Sequence, residues 1–160
     1  MTSSMTSASV GRFAPHALAL LRIVAAALFL AHGLVKLVGL PAGAAPGEQP
    51  LMTLHGLAGI IEVITGVLLL LGLFTRPAAL IASGEMAVGY WLYHAPQSLF
   101  PAVNGGDAAI LFCFVFLYVF AAGPGALNLD GLLHGSSPER RFSKAEGGSS
   151  AAKPTIGASR

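Results

Sequence analysis

Leu57-Ala-Gly-Ile-Ile-Glu-Val-Ile-Thr-Gly-Val-Leu-Leu-Leu-Leu-Gly-Leu-Phe-Thr-Arg-Pro77 decides the fold class of this chain. The run is apolar except for a single carboxylate, Glu62, and it is long enough to cross a hydrocarbon layer about 30 Å thick. It stops at Thr75-Arg76-Pro77, where arginine marks a water interface and proline suits the first turn of another helix. A lone carboxylate at that depth is expensive and needs a partner, a proton or a wet cavity.

The rest of the composition agrees with a membrane location. Of 160 residues 54% are hydrophobic and only 10% charged, against about 25% charged in soluble domains, and the mean hydropathy is +0.73. The net charge of +2 does not indicate nucleic acid, because no basic patch is interleaved with aromatics. Cys113 is the only cysteine, so internal dithiol chemistry is excluded, and it reads as a small apolar core residue.

Working outward from the central run, hydrophobic stretches recur on both sides. Ala17 to Val38 is too long for the apolar region of a signal peptide, contains Arg22, and reads as an uncleaved first helix. Pro- and Gly-rich residues 39–50 make a loop. Beyond Pro77 a third stretch ends in Tyr90-Trp91-Leu92-Tyr93, an aromatic cluster suited to the headgroup level. A loop with Pro96, Pro101 and Asn104-Gly-Gly precedes a fourth stretch, with Asp107 in its first turn where a carboxylate complements the helix dipole. Gly123-Pro124-Gly125 ends it. The expected organisation is all-α: a polytopic membrane protein forming an antiparallel four-transmembrane-helix bundle. Its spans lie at about 17–38, 53–74, 77–94 and 107–122, within a membrane domain of residues 16–134. Disordered tails of residues 1–15 and 135–160 flank it. Of the basic residues only Lys36 falls on one side of such a bundle, while Arg12, Arg22, Arg76 and the five after Ser136 fall on the other. The positive-inside rule then puts both termini in the cytoplasm.

The ionisable residues within the spans are the candidate site. Arg22, His32 and Lys36 fall close to one stripe of the first helix, and His55, Gly59, Glu62 and Gly66 share a stripe of the second. Glycines on that stripe allow close approach of helices. Arg22 or Lys36 would pair with Glu62. Glu85, at similar depth on the third span, would share that cation or stay protonated, since two carboxylates in a low dielectric do not both ionise without more positive charge. His94 and Asp107 belong to the outer rim. The histidines show no metal-ligand spacing, so no metal site is expected.

Several motifs together carry a resemblance: Leu21-Arg-Ile, His32-Gly-x-x-Lys36-x-x-Gly39, Gly59-x-x-Glu62-x-x-x-Gly66, Leu71-Gly-Leu-Phe-Thr-Arg-Pro77, Glu85-Met, Phe100-Pro-x-x-Asn104-Gly-Gly-Asp107 and Gly123-Pro-Gly-x-x-x-Leu-Asp130. In order and spacing they resemble the DoxX family over about Leu18 to Leu133. Asp107 stands where relatives often have glutamate. The resemblance implies a small four-helix protein of the bacterial inner membrane. It also implies an association with membrane oxidoreductases, since the family takes its name from a subunit of a thiosulfate:quinone oxidoreductase. The chain carries no cluster, haem or flavin motif, so electrons would have to move on a bound quinone or a partner subunit. Three functions are open at this level. One is a quinone-associated or accessory subunit of an oxidoreductase, working with a membrane or periplasmic redox partner. The others are a non-catalytic scaffold for a partner enzyme and a small proton or solute pathway. Any of these is compatible with a homo-oligomer in the bilayer.

Overall fold

Six α-helices and one π turn make up the described residues, 3–133, of a computed structural model, with side chains described from Gly11 onward. Residues 134–160, which hold His134 and the expected C-terminal tail, lie outside the described residues, as do the first two. In order the elements are α1 (Ser3–Val38), α2 (Leu54–Leu71), α3 (Thr75–Gly89) running into the π turn Tyr90–His94, α4 (Pro101–Asn104), α5 (Asp107–Ala122) and α6 (Leu129–Leu133). The packed unit ends at Asp130, and a second unit begins at Gly131.

Two of these helices, Gly11–Val38 within α1 and Leu54–Leu71, are long and apolar enough to cross a membrane. α5 is equally apolar but has 16 residues. α1 also extends further back than its apolar run. It starts at Ser3, inside the segment the sequence assigns to a tail, and contains Pro15. The backbone near Pro15 is engaged elsewhere: its carbonyl accepts from Ala126 N at 2.9 Å.

The helix ends follow local rules. Thr53 caps α2, its hydroxyl accepting from Gly56 N at 3.1 Å. Gly72 ends α2 with φ +66°, and a Cβ there would stand 2.7 Å from Asn128 Cβ and 2.8 Å from an Arg22 nitrogen. Glycine is therefore required both for the turn and for the room it leaves.

Contacts between the long helices close a ring in the order α1, α2, α3, α5 and back to α1, with α1 against α2 and α3 against α5 the most extensive. Small residues set the α3–α5 contact: Ala78, Ala79, Ala82 and Ser83 are buried, and the Ser83 hydroxyl donates to the Cys113 carbonyl at 2.8 Å. Phe29 of α1 meets Phe116 of α5 edge-on at 4.9 Å and Phe112 at 5.5 Å. The exterior is the greasy side. Val24, Leu28, Ile64, Val88, Leu111 and Phe114 are all at least half exposed, whereas Arg22, Glu62, Thr65 and Thr75 are buried. That distribution suits a lipid surround, where the exterior gains nothing by being polar and the interior must satisfy its own polar groups.

Candidate functional site

The charged residues divide into two groups with different partners. The first holds the end of the ring where α2 stops and α3 starts. Arg22, fully buried, donates from Nε to Pro124 O at 2.9 Å and from Nη2 to Leu127 O at 2.7 Å. Its Nη1 reaches the carbonyls of Leu69 and Leu70. The last carbonyls of a helix lack intrahelical partners and sit at the negative end of its dipole, so a guanidinium there satisfies both hydrogen bonding and charge. Arg76 does the same for α5, donating to Phe120 O at 2.8 Å and Ala121 O at 3.2 Å. Asp130 is the counterpart for α3: Oδ1 accepts from Phe74 N at 2.8 Å and Oδ2 from Thr75 N at 2.9 Å. Arg22 is therefore not the partner of Glu62 that the first-helix stripe allowed. Its fork is engaged by backbone carbonyls, many of them far away in sequence.

The second group lies at the middle of α2. Lys36 Nζ donates to Glu62 Oε1 at 2.6 Å, with the lysine side chain 14% exposed and the glutamate 1%. Reciprocal glycines bring the two helices together here. A Cβ on Gly33 of α1 would stand 2.7 Å from Val63 Cγ2 and 2.9 Å from Val63 N. A Cβ on Gly59 of α2 would stand 2.9 Å from Lys36 Cβ, and one on Gly66 3.1 Å from Leu30 Cβ. These are the contacts that lipid-embedded helices use in place of a hydrophobic driving force. They carry the backbone of Lys36 close enough for its short-range pairing with Glu62.

The pair is incomplete. Glu62 Oε2 is buried with no hydrogen-bond partner, and Glu85 Oε2 of α3 is in the same condition. Glu85 is near enough to Glu62 and Lys36 for both charges to act on it. It also lines a groove between α2 and α3 of about 580 Å³, whose walls are otherwise apolar, with Ile61, Ile81, Gly84 and Val88 around the carboxylate. A smaller cavity of about 240 Å³ lies on the other side of the ion pair, between α1 and residues 44–46, and His32 and Lys36 line it.

The remaining candidates spread over the outer end. His32 is exposed, its Nδ1 2.8 Å from Leu28 O and its ring edge-on to Phe112 at 5.7 Å. His55 is turned onto Tyr93, with ring centroids 4.1 Å apart. That contact lies at the groove's end marked by Leu54 and Tyr93. His94 Nδ1 lies 2.9 Å from Asn104 O. Asp107 is exposed at the start of α5. Among the described residues no three His, Cys, Asp or Glu side chains converge as a metal site. Two polar residues that sequence reasoning did not rank organise the structure: Asn104, which donates to Ser98 O at 2.7 Å and accepts from Gly106 N at 2.7 Å, and Asp130. Their only sequence signals were the turn-like Asn104-Gly-Gly and the lone carboxylate after Gly123-Pro-Gly.

The sequence model of the DoxX family matches residues 17–95, which cover the apolar part of α1, all of α2 and α3, and the π turn. An uncharacterized protein of Haemophilus influenzae is 40% identical over 126 residues, covering 74% of this chain and 92% of the relative. No solved structure matches.

Proposed function

The chain belongs to the DoxX family, and from that premise we propose that this small membrane protein binds a quinone in the α2–α3 groove and serves as an accessory subunit of a membrane oxidoreductase. It crosses the bacterial inner membrane four times with both termini in the cytoplasm. α3 and its π turn together supply 15 and 5 residues, and α5 supplies 16, which at about 1.5 Å per residue suffices for a thin or locally adapted bilayer.

The observation that carries this reading is the groove itself. It is apolar, about 580 Å³ in volume, open along one side, and has one carboxylate in its wall with an unpartnered buried oxygen. Such a site fits a ring bearing oxygen functions with a hydrocarbon tail, since pockets for small molecules are mostly apolar with few polar groups that fix orientation. Electrons would enter and leave through a membrane or periplasmic partner protein.

The test is lipid extraction from the full chain purified in native nanodiscs. A co-purifying quinone is expected, with retention falling about tenfold in Glu85→Gln, the equivalent of one lost hydrogen bond of ~1.4 kcal/mol. Gly84→Phe should expel it too, because nothing lies within 4 Å of a Cβ on Gly84, so a ring there fills the groove. Wild-type protein free of quinone would sink the proposal. A second reading, a non-catalytic scaffold for a partner enzyme, draws support from the glycine-locked Lys36–Glu62 pair, a contact that holds two helices in register. It expects no quinone, and full recovery of the partner by a Lys36→Met/Glu62→Leu double variant.

A further inference from the structure

A charge count at the centre of the ring leaves one unit over. Lys36 brings one positive charge; Glu62 and Glu85 bring two negative ones. The Lys36–Glu62 bond uses Oε1 alone, and Glu62, only 1% exposed, keeps Oε2 buried and unpartnered, as Glu85 keeps its own. An uncompensated charge in a low-dielectric interior costs several kcal/mol, so the surplus must be neutralised. Arg22 does not serve, since its donors are spent on the carbonyls of Leu69, Leu70, Pro124 and Leu127. His32 is exposed on α1, outside the Lys36–Glu62–Glu85 cluster. His55 is turned onto Tyr93 and His94 onto Asn104 O. α5 contributes Phe112, against the His32 ring, and its Asp107 is exposed at the helix start.

We propose that Glu62 and Glu85 act as a proton-binding dyad that holds one proton between two carboxyl groups beside Lys36, exchangeable through the small cavity lined by His32 and Lys36. The groove and this cavity lie against opposite ends of the same charged row: Glu85 faces the first, Lys36 the second. The dyad therefore places an exchangeable proton at the wall of the groove without opening the groove to water. Two carboxylates that share a site titrate as a pair and not singly. The inference does not depend on what occupies the groove.

Infrared spectra of the full chain in lipid nanodiscs at neutral pH test it, because a protonated carboxyl absorbs above the amide band and an ionised one does not. The expected count is one protonated carboxyl per chain in the wild type. It falls to none in Glu85→Gln and in Glu62→Gln, since either leaves a neutral pair with Lys36, and doubles in Lys36→Met. Far-ultraviolet circular dichroism confirms folding of each variant, and Glu85→Gln, at the groove wall, suffices if the others fail to fold. A wild-type spectrum with no protonated carboxyl would overturn the dyad, meaning that His32 carries the balancing charge. A band that persists in Glu85→Gln, or one abolished when sodium replaces choline in the buffer, would overturn it as well, the latter by revealing a metal-cation site. Quinone retention is a separate measurement on the same samples, so either proposal can fail alone.

Discussion

Arg22 and Glu62 are both buried charges within apolar helices, yet they sit in opposite circumstances. Around Arg22 the donors Nε, Nη1 and Nη2 all find backbone carbonyls, and those carbonyls belong to a helix end and a loop that need them. Around Glu62 one oxygen is bonded to Lys36 and the other to nothing, with a second carboxylate close by and a cavity on either side. A charge that completes the backbone's own hydrogen bonding is part of the frame. A charge left partly unsatisfied beside open space is where chemistry or binding is to be sought.

Substitutions at Arg22, Lys36, Gly33 and Glu85 would break or sharpen that contrast. Arg22→Met should do the most damage, about 3–5 kcal/mol, because it takes the side-chain donor away from several carbonyls of α2 and the 124–127 loop at once; reversible unfolding in mixed micelles would show it. Arg22→Lys, which keeps charge but not the fork, should recover less than half of the loss. Next comes Lys36→Met at about 2–3 kcal/mol, less because Glu62 can take up a proton when its partner leaves. Adding Glu62→Leu should restore most of it, and a double variant no more stable than the single would place Lys36 among the frame charges instead. Gly33→Ala should cost about 1–3 kcal/mol, since the methyl meets backbone at Val63 N, which cannot swing aside. Glu85→Gln should change stability by less than about 1 kcal/mol, within the range of substitutions outside a packed contact, while lowering quinone retention about tenfold. A large loss of stability there would move Glu85 to the structural side of the comparison.

Much of the helical layout was legible in the sequence. The apolar run ending at Val38, the starts at Thr53 and Asp107 and the stop at Thr75-Arg76-Pro77 fall within a few residues of helix ends, although α2 ends at Leu71, short of the expected 74. These features are local: periodicity, caps and breakers act over one or two turns. The Lys36 partner for Glu62 was among the two cations that the stripe of α1 offered, and Gly59 and Gly66 on the second helix announced a close approach. The role of Arg22 was not legible. Its acceptors at Leu69, Pro124 and Leu127 are 47 to 105 positions away in the chain, and no residue pattern encodes a carbonyl left over at the end of another helix. The groove was hidden for a similar reason, since it is the space between α2 and α3, and no local pattern along either helix records how far apart the two will stand. His32 shared a stripe with Lys36 yet lies exposed, because the ring of helices closes nearer to Gly33 and Phe29.

The clasps at the Arg22 end also impose an order on synthesis. α1, α2 and α3 leave the ribosome long before Pro124, Leu127 and Asp130, yet Nε and Nη2 of Arg22 and the Phe74–Thr75 turn find their partners only there. Until those residues emerge, the early hairpin carries a guanidinium held only by the Leu69 and Leu70 carbonyls, and a helix start without its cap. The segment from Gly123 to Asp130 thus works as a completion signal: its arrival converts a set of inserted helices into a finished protein.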